Sequence, residues 1–112
     1  KLDNQEPTEY KKIGLIGDFN SWSADFELTQ LDKAPHNWIC TFSVDGDSMI
    51  KFRANGGWDI NWGAGESDGA IDLSIQNSET GVQNGKNLKI HAGTYNVFFN
   101  DITGQFVFKA VE

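Results

Sequence analysis

A chain of 112 residues is one domain with room for a modest core, and 38% hydrophobic with 22% charged residues fits a soluble globular domain. Sixteen acidic against nine basic residues give a net charge of −7, which argues against nucleic acid and against adhesion to an anionic membrane surface. Cys40 is the lone cysteine and His36 and His91 stand apart, so the composition offers no disulfide, no thiolate zinc cluster and no cofactor motif, and no apolar run is long enough to insert in a membrane.

In chain order, residues 1–10 are polar and read as a linker or N-terminal extension, with the domain proper over 11–112. Residues 11–16 and 26–31 are strand candidates, separated by the turn-rich Gly17-Asp18-Phe19-Asn20-Ser21-Trp22. Trp38, Cys40, Phe42 and Val44 alternate with Ile39, Thr41 and Ser43; Ile50, Phe52 and Ala54 alternate with Lys51 and Arg53. Period two places the first set of each run in a core and the second on the opposite face. Asp45-Gly46-Asp47 and Asn55-Gly56-Gly57 are the intervening turns, and Trp58-Asp59-Ile60-Asn61-Trp62-Gly63 follows. Residues 63–69 form a glycine-rich acidic loop, and 77–86 read as a mobile polar loop. Tyr95, Val97 and Phe99, then Phe106, Phe108 and Ala110, mark two last strands around the turn at 101–104. No segment has an amphipathic helix pattern. The expected fold is all-β, an antiparallel immunoglobulin-like sandwich of about seven to eight strands.

The candidate site follows from the pleat. With Phe52 inward, Lys51 and Arg53 face outward, and the turn at 55–57 returns Trp58 to the end of their strand. Trp22 lies in the loop after the first strand, so Trp22, Lys51 or Arg53, and Trp58 can form a shallow platform. Flat rings beside hydrogen-bond donors suit a sugar, which has apolar C–H faces and a hydroxyl rim. Each residue also has a plainer reading. Trp22 can plug the first loop, as Phe19 does; Trp62 can pack under the glycine-rich loop; Trp38 and Cys40 belong to the core; Lys51 can be solvated, and Arg53 can pair with Asp59 or Glu66. Asp45 with Asp47, or Glu66 with Asp68, falls short of the six or so oxygen ligands calcium wants. Glycoside hydrolysis needs two carboxylates about 5 to 9.5 Å apart across a cleft, which a short chain without nucleophile motifs hardly forms, so no catalytic residue is expected.

The Ile16-to-Trp22 segment, Ile50-Lys51-Phe52-Arg53 and Trp58-Asp59-Ile60-Asn61-Trp62-Gly63 together resemble the C-terminal starch-binding domains of SusE- and SusF-like outer-membrane lipoproteins of Bacteroidetes, over about residues 11–112. They are more remotely similar to the glycogen-binding domain of the AMP-activated kinase β subunit and to starch-binding modules of amylolytic enzymes. The resemblance implies a sandwich that binds α-1,4-glucan without cleaving it. It implies contacts from Trp22, Lys51 and Trp58, from Asn87 near the following strand, and from Arg53 and Trp62 in the SusE-like pattern. The implied ligands are starch, amylopectin or malto-oligosaccharides. The implied setting is a lipid-anchored parent protein on the outer membrane, beside other components of a glycan-uptake complex. The competing expectations are a structural or protein-interaction sandwich, signalled by an exposed Phe98 and Val107 patch, and a binder of another polysaccharide.

Overall fold

The computed structural model describes residues 9–111; the segment read as a linker lies outside them except for Glu9 and Tyr10. Eleven strands form two antiparallel sheets. They are β1 (Ile13–Gly17), β2 (Phe26–Glu27), β3 (Thr29–Leu31), β4 (Ala34–Val44), β5 (Ser48–Ala54), β6 (Asn61–Gly63), β7 (Ser78–Thr80), β8 (Val82–Gln83), β9 (Leu88–Ile90), β10 (Gly93–Asn100) and β11 (Gln105–Ala110). One sheet runs β2-β1-β5-β6-β8 with β9 also on β5, and the other β3-β4-β10-β11-β7. The only helical piece among the described residues is a 3-10 turn at Asp18–Asn20. The all-β sandwich expected from alternation is the observed architecture. The strand count is higher because short segments of two or three residues pair at the margins, too brief to show a period.

Alternation assigns the layers. β5 is buried at Ser48, Ile50, Phe52 and Ala54 and half-buried at Met49, Lys51 and Arg53 between them. Phe52 stacks on Phe99 of the facing sheet with ring centroids 4.3 Å apart, and Phe106 and Phe108 close around it. This interlayer aromatic cluster is the centre of the core, where pairs gain about 0.5–1.5 kcal/mol beyond the area they bury. Trp38 is buried as expected, its indole N–H donating to buried Asp101 at 2.8 Å; the same carboxylate meets His36 Nδ1 at 2.8 Å. The packing reaches Tyr10, which meets Trp62 edge-on at 5.9 Å.

Both margins of the sandwich are made by strands that change sheet. β2 pairs β1 in the first sheet and β3 pairs β4 in the second, with Leu28 alone between them, its N–H donating to Ile13. On the other margin β7 pairs β11 and β8 pairs β6, with Gly81 alone between them. A Cβ on Gly81 would lie 3.1 Å from both the Gly104 carbonyl oxygen and the Trp62 Cβ, so a side chain at the crossing requires these neighbours to give way by a few tenths of an ångström. The stretch 77–86, read as a mobile loop, therefore supplies an edge strand to each sheet.

Candidate functional site

The platform lies on the outer face of the first sheet. Lys51 and Arg53 are two residues apart on β5 and face outward, as the pleat requires. The loop after β5 turns at Asn55 (φ 56°) and Gly56 (φ 70°), the two positive angles of a type I′ turn, closed by Gly57 N–H donating to Ala54 at 3.2 Å. It lays Trp58 over the strand it has just left. The Arg53 guanidinium carbon is 4.9 Å from the centre of the Trp58 ring, and Lys51 Nζ is 5.6 Å from it. Trp58 remains 47% exposed.

Trp22 arrives from the loop after β1. Ser21 and Trp22 both have φ 57°, a left-handed conformation that costs non-glycine residues free energy, most of all bulky ones. Fixed hydrogen bonds hold it. Trp22 N–H donates to Gly17 O at 2.9 Å and its indole Nε1–H to Asp18 Oδ1 at 2.8 Å, while Asp18 Oδ2 accepts from Met49 N–H of β5 at 3.0 Å. The half-buried ring stands 6.1 Å from Trp58, the two planes inclined by 37°. The result is a bent aromatic shelf with cationic groups on its floor.

Arg53 is tied in a way the sequence reading did not anticipate. Its partner is Asp25, not Asp59 or Glu66: Nε donates to Asp25 Oδ1 at 2.7 Å, and both side chains are about 10% exposed. Asp25 reaches it across Gly14, which pairs with Arg53 in the β1–β5 register. A Cβ on Gly14 would lie 2.6 Å from that of Asp25, so glycine is what allows the carboxylate to lie flat over the sheet. Arg53 is thereby a support under Trp58.

Lys51 has a different setting. Burial and the neighbouring Lys86 charge lower its pKa, with Asp68 opposing them. Lys51 is half-buried and stands at the edge of the shelf. Asn87 stands just before β9, one position beyond the Ile50–Leu88 pair, which sets it beside Lys51 in the register. Its backbone N–H donates to Asp68 Oδ1 at 3.0 Å and its carbonyl accepts from Gly69 at 2.8 Å. Four of the six candidate residues, Trp22, Lys51, Arg53 and Trp58, are thus brought into direct proximity, with Asn87 at the border.

Trp62 is not among them. It is 2% exposed, inward-facing opposite Phe52, and packed between Tyr10 and Phe99 at 5.9 and 4.9 Å. Trp62 is a core residue, as its plainer reading had it, but its ring partners are Tyr10 and Phe99 rather than the glycine-rich loop, and a ring buried in this way presents no face to the shelf. Its neighbour Asn61 points the other way and supports the shelf, its buried side-chain amide donating to the Trp58 carbonyl at 3.0 Å. Asp18, Asp25 and Asn61 were missed as supports. Only Asp18 carried a signal, four residues before Trp22 in one turn; the others depend on pairing between distant segments. Among the described residues, no group of three or more His, Cys, Asp or Glu is arranged to hold a metal ion.

Comparison with solved structures finds the same fold elsewhere. SusF from Bacteroides thetaiotaomicron superposes on 94% of this chain with a TM-score of 0.67 and 12% identity, and the chain spans 25% of that protein's length. The ligand-induced structure of AmyP-SBD superposes on 96% of this chain and 81% of its own, with a TM-score of 0.51 and 15% identity. At such identities the likeness is one of fold. No family model and no curated protein matches the chain.

Proposed function

We propose that this domain is a non-catalytic carbohydrate-binding module that holds starch-like α-1,4-glucan across Trp22 and Trp58. The observation that carries the reading is the pair of accessible indoles 6.1 Å apart and inclined by 37°, with Lys51 and Arg53 against Trp58. A bent shelf matches a chain that curls, as α-1,4-glucan does; flatter polymers such as cellulose or xylan would lose contact with one ring. Lys51 supplies an ammonium donor to sugar hydroxyls beside the stack, and Asn87 borders it. The two neighbours of known structure support the same direction, one being SusF and the other a starch-binding domain. A shallow site leaves much of the sugar hydrated, so single-domain affinity is modest, and copies in a larger protein gain by effective concentration. In this reading the parent is a surface lipoprotein of the outer membrane that keeps starch beside the other components of a glycan-uptake complex.

The test is mobility in an amylopectin gel. Trp22→Ala and Trp58→Ala each reduce retardation while circular dichroism and thermal unfolding stay close to wild type. Unchanged mobility in both variants sinks the proposed site. Calorimetry with maltoheptaose against cellohexaose then separates a curling from a flat glucan.

A further inference from the structure

The opposite face of the molecule carries a feature that the platform does not use. On the outer side of the second sheet, register aligns Ile39 of β4 with Phe98 of β10, and Phe98 with Val107 of β11. The row continues to Thr29 of β3 at one end and Ser78 of β7 at the other. It crosses five strands, and its apolar centre spans about 10 Å at the usual strand spacing. Ile39 is 42% exposed, and Phe98 and Val107 are half-buried. A concavity of about 570 Å³ lies over this row, and a second of about 380 Å³ shares Phe98 and Val107 and continues toward Thr80 and Gln105.

The polar surroundings define the ligand class. Thr41, Asn96 and Lys109 form the neighbouring row in register, with Thr41 Oγ1 donating to Asn96 Oδ1 at 2.8 Å, which leaves the Asn96 amide N–H groups free to face outward. Asn37 and Asn100 are joined by a 3.0 Å hydrogen bond on the other flank. Lys109 is the one charge at the outward positions of β4, β10 and β11, in a chain of net charge −7 with sixteen acidic residues. The larger concavity has no carboxylate in its lining, and Glu79 enters only at the β7 end of the smaller one; an apolar strip between ladders of amides and hydroxyls complements a neutral polyol. Lys109 and Glu79 stand singly at opposite ends, too few to steer a charged partner, and the row offers no unpaired strand edge for a peptide to extend.

We propose that this trough is a second glycan site, which takes a neutral oligosaccharide laid across the strands. The inference rests on the carbohydrate-binding reading above. With the indole shelf on one sheet and the trough on the other, one domain holds two segments of a branched polymer on opposite sides. The trough lacks an indole, so it is the weaker of the two.

The experiment titrates isotope-labelled protein with maltoheptaose, using cellohexaose as control, and follows the amide spectrum. Wild type shows saturable shifts at both Trp58 and the Ile39–Phe98–Val107 row. Trp22→Ala/Trp58→Ala loses the first set and keeps the second. Ile39→Ser lowers the trough affinity by about five- to tenfold, the effect of withdrawing one aliphatic side chain from the contact. Asn96→Asp, which keeps an acceptor for Thr41 but adds a carboxylate, weakens the trough without touching the core. Shifts confined to the Trp58 side overturn the second site and leave the platform intact. Trough residues silent to sugar but buried in a dimer that Ile39→Lys dissolves also overturn it, in favour of a self-association surface. No shift on either face overturns the carbohydrate reading itself and this site with it.

Discussion

Removing the carboxylate of Asp25 tests whether the platform is built on a paired cation. Arg53 Nε and Asp25 Oδ1 are 2.7 Å apart, and the side chains are 11% and 10% exposed. At an effective dielectric of about 20, that separation corresponds to a gross attraction of about 6 kcal/mol, from which the dehydration of both ions subtracts most. Asp25→Ala strands a guanidinium between Gly14 and Trp58. Breaking a buried pair from one side costs about 3–5 kcal/mol, and the long arginine stem can swing toward water, so the lower end applies. For a domain of this size about 3 kcal/mol is a drop in Tm of about 15 °C. Arg53→Met keeps the stem under Trp58 but strands the carboxylate, and costs about 2 kcal/mol for the same reason. The double variant strands nothing and loses about 1–2 kcal/mol against about 5 kcal/mol for the two single variants together, so the cycle leaves a coupling of about 3–4 kcal/mol. Arg53→Met also removes a cation–π contact worth about 0.5–1 kcal/mol, so maltoheptaose affinity falls about two- to fivefold as Trp58 loosens. Urea unfolding of the four proteins, with calorimetry on each, measures both effects. Additivity within about 0.5 kcal/mol refutes the pairing, and unchanged affinity in Arg53→Met refutes its role as a support.

His91 lies between two carboxylates, Asp47 at 2.8 Å and Asp72 at 3.0 Å, and these hydrogen bonds, Asp72 first, raise its pKa above 6.5. Its contribution is complete below about pH 6.5 and is lost as pH rises through the native value. That of Asp72, held down to about 2 chiefly by the Ser74 hydroxyl and then His91, is present above 3.8 and lost as pH falls toward 2. Protection factors for amide exchange across residues 64–77, which remove the intrinsic pH dependence, are therefore highest between about pH 4 and 6.5, and His91→Gln abolishes their fall on the alkaline side; a flat wild-type profile contradicts the stabilising role of the Asp47–His91–Asp72 bridge. Burial pushes the Cys40 thiol up to about 12, so iodoacetamide leaves the folded protein unmodified at pH 8 and labels it in urea. Trp62→Ala opens a core cavity and costs about 3–5 kcal/mol, so any glucan-binding loss tracks the unfolded fraction; selective loss in fully folded protein returns Trp62 to the site.

The long strands were legible because each carries one apolar face over six or more residues, as in Trp38-Cys40-Phe42-Val44 and Phe106-Phe108. Trp22 and Trp58 stood out because a large ring in turn chemistry has no hydrophobic run to join. Trp62 did not separate from them, since its strand has three residues and its inward direction is set by pairing with Phe52. The partner of Arg53 was equally hidden. Asp59 and Glu66 are near in sequence, but Asp25 is near in space because β1 and β5 pair at Gly14 and Arg53. Short edge strands such as β7 and β8 are polar and have no period; they exist because a neighbouring strand offers unpaired backbone groups.

The switches at Leu28 and Gly81 make the layers mechanically inseparable. A sandwich of two independent sheets can fray by shedding one marginal strand. Here, peeling β2 from β1 drags β3 away from β4, and lifting β8 from β6 tugs β7 off β11. Seams on both flanks turn the two layers into one flattened tube, with stubs of two or three residues where long sticky borders would be. Among the described residues, these short stubs leave neighbouring copies little backbone ladder to extend into one another.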